Sequence, residues 1–262
     1  MSGALFDRDG DTFLPAPESR ARWYPDALHG GPVAALLARA FETQPSPVPM
    51  MVTRITIDLM RPVKTVPLQV AVRAVRSGKR IQVLEASVDA GGIEVARATA
   101  LRMRVVDLPV PEHPRRELLP APETIAPYTM RDVEGEWFHT RAVEGRFVSG
   151  DFYDPGPATV WMKLILPVVA GEVPTPLQRA AAVADFGNGL SRVLPGGWLF
   201  INPDLSVHLS RYPAGEWVGL RSRTDIDDHG VGIAQSELFD EGGAIGHAVQ
   251  GLLVDKGADW VE

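Results

Sequence analysis

Apolar and polar positions alternate along most of this chain, and two runs that are apolar nearly all round interrupt the alternation. From Met51 to Met60 the pattern puts Met51, Thr53, Ile55, Ile57 and Leu59 on one face, which predicts a half-buried strand. Strands over 67–76, 80–89 and 93–106 follow, separated by Ser77-Gly78-Lys79 and Gly91-Gly92, so an antiparallel meander is expected. Before them, Pro32 to Phe41 (PVAALLARAF) predicts a helix with Pro32 near its first turn. Its apolar residues cover almost the whole circumference, so this helix belongs inside the protein. Residues 20–28 read as a short strand and turn with Trp23 and Tyr24 as apolar anchors.

The order then repeats. Trp137 to Val148 and Ala158 to Leu166 read as strands around a Gly/Pro loop, and Leu177 to Leu194 as a helix opened by Thr175-Pro176. Phe200 to Arg211, Glu216 to Thr224, Gly232 to Asp240 and Ala244 to Asp255 read as strands. Between the halves, residues 107–135 carry six prolines and many charges, with no apolar period, which predicts a linker in which Arg115 and Arg116 are solvated. The expected division is 1–106, a linker over 107–135, and 136–262.

The two halves align with an offset of about 150. Ile55-Thr56-Ile57-Asp58-Leu59-Met60-Arg61-Pro62 then falls on Leu205-Ser206-Val207-His208-Leu209-Ser210-Arg211-Tyr212. One residue further on, the turn Asp89-Ala90-Gly91-Gly92 falls on Asp240-Glu241-Gly242-Gly243. The polar pieces are split between the halves. His29-Gly30-Gly31 precedes the first helix only, and Asp185 lies in the second only, where the first has Ala38 at similar depth. A duplicated fold with divided polar groups implies one composite site. One buried helix per antiparallel sheet, twice, is an α+β architecture. It allows the sheets to join edge to edge with both helices on the concave side.

Composition narrows the functions. A net charge of −7 argues against a broad nucleic-acid surface. The absence of cysteine excludes disulfides, thiolate zinc sites and a cysteine nucleophile. His113, His139, His208, His229 and His247 have no metal-ligand spacing, so no metal is expected. His208 alternates onto the face opposite Leu205, Val207 and Leu209. No run approaches the ~18 apolar residues of a membrane span, and the first residues lack the apolar stretch of a signal peptide. A cytoplasmic protein is the expectation. There is no G-x-S-x-G elbow, P-loop or dinucleotide fingerprint.

His-Gly-Gly-Pro-Val-Ala-Ala at 29–35, Met60-Arg61-Pro62, Ala184-Asp185-Phe186, Leu209-Ser210-Arg211 and Val249-Gln250-Gly251 occur in an order that resembles the TesB-like acyl-CoA thioesterases. The resemblance implies a tandem (double) hotdog, two antiparallel sheets each wrapping one central helix. It also implies acyl-CoA as substrate, with no other cofactor. In that family an Asp on the second helix, a Thr or similar residue before the Arg-ending strand, and a Gln on the last strand hold the attacking water. Carried over, the Asp is Asp185 and the Gln is Gln250, while the Thr position is occupied by Asn202, a departure. A second departure is Gly187-Asn188-Gly189, where the family usually continues its helix.

The chemistry of a thioester hydrolase fits these residues, and each also fits a structural role. A glycine amide at a helix start can stabilise an oxyanion, which fits Gly30 and better Gly31, with His29 orienting the turn or touching the thioester. The same three residues also make a tight turn into a helix. Asp185 follows Ala180-Ala181-Ala182-Val183-Ala184, where a carboxylate is costly unless paired or working. Alternatively the helix ends there and Asp185 opens a turn. Gln250 fits a structural amide equally well. Arg61 and Arg211 are symmetric, which favours a structural pairing with a carboxylate in each half. The expected activity is hydrolysis of an acyl-CoA by Asp-activated water, with the acyl chain between the two central helices. A non-catalytic acyl-CoA binder is the alternative, and a hotdog hydratase a weaker one. Exposed sheet edges lead to the expectation of a homo-oligomer, a dimer or higher.

Overall fold

The computed structural model describes residues 3–24, 26–111, 117–130 and 134–256. Arg115, Arg116 and His113 lie outside these residues. The first half contains β1 (Phe6–Asp9), β2 (Thr12–Pro15), the helix α1 (Gly30–Glu42), β3 (Met50–Leu59), β4 (Leu68–Arg76), β5 (Ile81–Ala90) and β6 (Glu94–Arg104). The second contains a short helix α2 (Phe138–Arg141), β7 (Val143–Ser149), β8 (Ala158–Leu164), the helices α3 (Pro176–Ala184) and α4 (Gly187–Leu190), and β9 (Trp198–Ile201). It ends with β10 (Asp204–Leu209), β11 (Trp217–Ile226), β12 (Val231–Asp240) and β13 (Gly243–Lys256).

The strands form one antiparallel sheet in the order β1-β2-β4-β5-β6-β3-β10-β13-β12-β11-β8-β7, with β9 pairing on β13. Read inward from either end, the two halves have matching orders. They meet where β3 pairs with β10, Ile57 opposite Leu205 and Ile55 opposite Val207. The repeated strands are therefore the seam, and the two sheets of the double hotdog are continuous.

The helices pack on the sheet and on each other as an antiparallel pair. Thr175 caps α3, its hydroxyl accepting from the Gln178 amide at 3.2 Å, with Pro176 in the first turn. Glu42, in the last turn of α1, accepts from Thr175 Oγ1 at 2.7 Å and from Gln178 Nε2 at 3.1 Å. Burial raises the pKa of Glu42, and the bonds from Thr175 and Gln178 and the Arg102 charge oppose that rise. Each helix thus delivers a carboxylate to the start of the other: Glu42 at this end, Asp185 at the far one. An anion is favoured at a helix N-terminus.

Several local expectations change. In the described residues 20–24 and 26–28, isolated bridges join Arg20 to Leu28 and Ala27 to Lys64, and Trp23 and Tyr24 are exposed, although the Trp23 ring packs on those of His29 and His139. Phe138–Arg141 is one helical turn ahead of β7, too short for a hydrophobic period to reveal. On β3 a register shift between Val52 and Arg54 buries Val52 in place of its neighbours Met51 and Thr53. Tyr212 accepts the Val52 amide at 2.8 Å. The expected long helix to Leu194 ends at Ala184, and the strand expected over 200–211 is split into β9 and β10.

The connecting segment is partly packed. Leu119 and Ile125 lie against Trp161, Trp217 and Phe239, and Pro120 accepts the Trp161 indole N–H at 2.8 Å. Arg211 pairs with Asp240, whereas Arg61 is exposed and has no ion pair among the described residues. Asp89, the counterpart of Asp240, instead accepts the Gly92 amide at 2.7 Å. The expected symmetry of these arginines therefore holds in one half only.

Candidate active site

His29 is the N-cap of α1, and its ring nitrogen Nδ1 lies 3.1 Å from the Gly31 amide. Nδ1 also lies 2.8 Å from Oδ2 of Asp185, the C-cap of α3. The two pieces that the sequence divides between the halves are therefore in direct contact. Glycine makes this possible. A Cβ on Gly30 would stand 2.7 Å from both Asp185 carboxylate oxygens, and one on Gly31 would stand 2.5 Å from the Ala182 carbonyl and 2.7 Å from the Phe138 ring. Such separations are inside van der Waals contact. Gly30 serves here by close approach to the carboxylate, and Gly31 by its amide.

Asp185 is buried and well partnered. Asn202, in the link between β9 and β10, donates Nδ2 to Oδ1 at 2.9 Å. Gln250 on β13, 1% exposed, donates Nε2 to the same oxygen at 3.2 Å and to the Asp185 carbonyl at 3.3 Å. The orientation of the Gln250 amide follows from its other end, where Oε1 accepts the Asn188 backbone N–H at 3.0 Å. A carboxylate offers about four acceptor positions. Three are taken by Asn202, Gln250 and His29, which leaves one on Oδ2 for a water.

Gly187 shapes this arrangement. The chain tightens at Phe186, whose amide donates to the Val183 carbonyl at 3.0 Å, and resumes as the single turn α4. A Cβ on Gly187 would meet the Ser236 hydroxyl at 2.5 Å and Gln250 Oε1 at 3.2 Å. Without one, the turn sits low enough on the sheet for Asn188 to reach Gln250. Behind it lies a layer of paired hydroxyls, Ser222 with Ser236 at 2.7 Å and Ser191 with Thr224 at 2.8 Å.

His29 faces two incompatible partners. To accept from the Gly31 amide, Nδ1 must be bare. To bond an ionised Asp185 it must carry a proton, because two lone pairs at 2.8 Å repel. Once Nδ1–H is committed to an ionised Asp185, the Gly31 N–H has no acceptor on His29 and is available to another one. The state of the carboxylate and the freedom of that amide are thereby coupled.

Aromatic rings enclose the imidazole. The centroids of Trp23, Phe138 and Phe186 lie 5.2, 5.0 and 4.9 Å from that of His29. Next to this group is a cavity of about 330 Å³, bounded by α2, β7, β8, the helix end at Phe186 and Leu190, and the segment at Tyr128. At Gly31 the two central helices are in contact, with the Ala182 carbonyl of α3 and the Phe138 ring of α2 against it. His139, on the cavity wall, is 5% exposed, and burial, followed by the charges of His29 and Arg22, holds its pKa down to about 3.

The aromatic enclosure, His139 at the cavity wall and the hydroxyl layer are not evident from the sequence pattern alone. The last had a signal: Leu220, Ser222 and Thr224 share one face of β11, all buried, so small hydroxyls stand where a core face would be apolar. Among the described residues, no group of three or more His, Cys, Asp or Glu side chains is placed to hold a metal ion. No helix among them is long and apolar enough to cross a membrane.

Comparison with known proteins gives consistent matches. The family model described as the acyl-CoA thioesterase N-terminal domain matches residues 19–103, and that of the C-terminal domain matches residues 122–254. Among solved structures, the chain is similar to a conserved protein of unknown function with a hot dog fold from Alicyclobacillus acidocaldarius. The identity is 17%, the TM-score 0.75, and 97% of this chain and 96% of that one are covered. It is also similar to the acyl-CoA thioesterase II TesB2 from Mycobacterium marinum, at 14% identity and a TM-score of 0.69, with 98% of each chain covered. A third is the tesB protein of Mycobacterium avium subs paratuberculosis, at 17% identity and a TM-score of 0.64, covering 95% of this chain and 96% of that one. At these identities the structural likeness speaks to the fold. No curated protein sequence matches significantly.

Proposed function

The chain belongs to the acyl-CoA thioesterase family, and we propose that it hydrolyses an acyl-CoA to a free acid and CoA with Asp185 as the base. The observation that carries this reading is the convergence on one buried carboxylate of His29 at 2.8 Å, Asn202 at 2.9 Å and Gln250 at 3.2 Å. These groups come from both halves of the chain. Nothing about a simple helix end requires three side-chain partners, a glycine cleared for the carboxylate, and a second helix start aimed at the same point.

In this reading a water bonds the remaining position on Oδ2, and its oxygen attacks the thioester carbonyl carbon while Asp185 takes its proton. The carbonyl oxygen gains charge and accepts the Gly31 N–H, which is free when His29 bonds the ionised Asp185. Collapse of the tetrahedral species breaks the C–S bond, and the proton on Asp185 passes to the departing thiolate. Asn202 and Gln250 hold the carboxylate in place, and no metal or further cofactor takes part. In this reading the chain divides into hotdogs over 1–106 and 136–262 with a connecting segment over 107–135.

The test is release of free CoA from a panel of short, long, branched and aromatic acyl-CoAs, for the wild type beside Asp185→Asn. Release by the wild type, reduced about 10²-fold or more in the variant, is expected. Acyl-CoA binding without release from any ester would turn the assignment to a binding protein. Release unchanged in the variant would remove Asp185 from the mechanism.

A further inference from the structure

The cavity beside the site has a mixed lining. Phe147, Val160, Met162 and Phe186 are among its apolar residues, and His139, Thr140 and Arg141 among its polar ones. Its ring is stacked between Trp23 and Phe152, with centroids 6.1 and 5.9 Å away and planes inclined by 19° and 8°. Nδ1 is sealed from the cavity and has no partner, and no side-chain hydrogen bond to Nε2, which is not sealed, occurs among the described residues, so Nε2 is the nitrogen a ligand in the cavity can reach. A buried polar ring with no partner is costly, and ligand sites are a recurrent place for one. In either neutral tautomer Nε2 is a donor or an acceptor, and a hydroxyl group can answer both.

The cavity also adjoins the reacting atoms. Phe186 is its wall and the residue after Asp185, and the Phe186 ring packs on His29. A volume of about 330 Å³ is roughly twice the ~150 Å³ cavity that accommodates a benzene ring. That is room for a compact chain or a single ring with a substituent, and a long fatty acyl chain would extend beyond it through the open side.

We propose that this cavity takes the acyl group of the thioester, and that His139 selects a compact acyl group bearing a hydroxyl. The inference rests on the hydrolase reading for the identity of the ligand, but it concerns binding, so the two are separable. His139 is a specificity residue in this account and touches the acyl group away from the thioester.

The experiment uses matched CoA esters: hexanoyl and octanoyl, each plain and with a hydroxyl at position 3 or at the chain end, and palmitoyl. Binding is measured by calorimetry on Asp185→Asn, and CoA release on the wild type. At one hydroxyl position the hydroxylated ester is expected to bind at least ~10-fold more tightly than its plain partner, since a site built to bond a hydroxyl discriminates strongly against its absence. Palmitoyl-CoA is expected to bind more weakly than the octanoyl esters. Adding His139→Phe should abolish the hydroxyl preference, and adding His139→Gln should keep part of it. Thermal unfolding identifies any variant that fails to fold, and the Gln variant serves if the Phe variant does. Equal binding of the matched esters, a preference that survives His139→Phe, or no binding of any ester overturns the inference. Discrimination in binding with no CoA release from any ester by the wild type would leave it standing and overturn the hydrolase reading. Release without discrimination would do the reverse.

Discussion

His29 Nδ1 lies 2.8 Å from Asp185 Oδ2, joining the residue before α1 to the residue after α3. The contact has a kinetic consequence. Replacing His29 by Phe removes the donor to the carboxylate and, with it, the link between an ionised Asp185 and a free Gly31 amide. A fall in kcat of about 10²-fold is expected, in the range for losing one positioned group in acid–base or oxyanion chemistry. Because the two residues act as a unit, the double variant with Asp185→Asn should be little slower than Asp185→Asn alone. Single-turnover CoA release measures this, and additive losses would show that the residues act independently.

Gly30 and Gly31 predict a separate effect, on packing. A Cβ on Gly31 would require the Ala182 carbonyl or the Phe138 ring to move, and one on Gly30 would push the Asp185 carboxylate. Gly31→Ala should lower stability by about 1–3 kcal/mol, as overpacking does elsewhere. Gly30→Ala should lower activity more than stability, because its obstacle is the carboxylate itself. Urea unfolding and CoA release on the same preparations separate the two. An unfolding midpoint unchanged in Gly31→Ala would contradict the close approach of the helices.

Much of this was legible in the chain. Alternation located β3 to β6 and β10 to β13 to within a few residues, because half-buried strands write their two faces into the sequence. The alignment of Ile55–Arg61 with Leu205–Arg211 marked the strands that became the seam. What failed was information that only tertiary structure holds. Trp23 and Tyr24 are apolar, but whether another element covers them is not a local property. The shift between Val52 and Arg54 depends on pairing with β6. Phe138–Arg141 is too short to show a period. At the site, Asp185 permitted both a buried acid and a helix end, and it is both, since the helix ends so that its cap can face α1.

Asn202 stands where the resembling family has a Thr. Its amide donates to Asp185 at 2.9 Å. A threonine side chain is shorter by one heavy atom, so Asn202→Thr should shorten the reach and weaken the bond. A bond to a charged acceptor is worth about 1.5–3 kcal/mol, so Asn202→Ala should reduce kcat by at least about 10-fold. Asn202→Thr should fall between Ala and the wild type. A Thr variant as fast as the wild type would show that the hydroxyl and the amide are interchangeable here. An Ala variant as fast would show that Asn202 has no part in holding the carboxylate.

Arg211 and Asp240 give the pH prediction. Asp240 is buried, and Arg211 pairs with it while the amides of Ala214 and Gly242 each donate at 2.8 Å. Burial alone would raise the carboxyl, but the Arg211 bond and charge together with the two amides outweigh it, and its pKa is lowered from 3.8. A carboxyl held lower in the folded chain than in the unfolded one contributes stability above the unfolded value, about 3.9, and that contribution is lost as pH falls through the folded value. Arg211→Met strands a buried carboxylate and should lower stability at pH 7 by about 3 kcal/mol, the low end for breaking a buried pair, because both amides remain. The gap between variant and wild type should narrow as pH falls below 3.8 toward the folded value. Asp240→Asn, which removes the titrating group, should have a flatter stability profile across the same window. Urea unfolding from pH 7 down to the acid transition tests this, and a gap of constant size at every pH would mean that Arg211 stabilises the fold by packing rather than through the charge on Asp240.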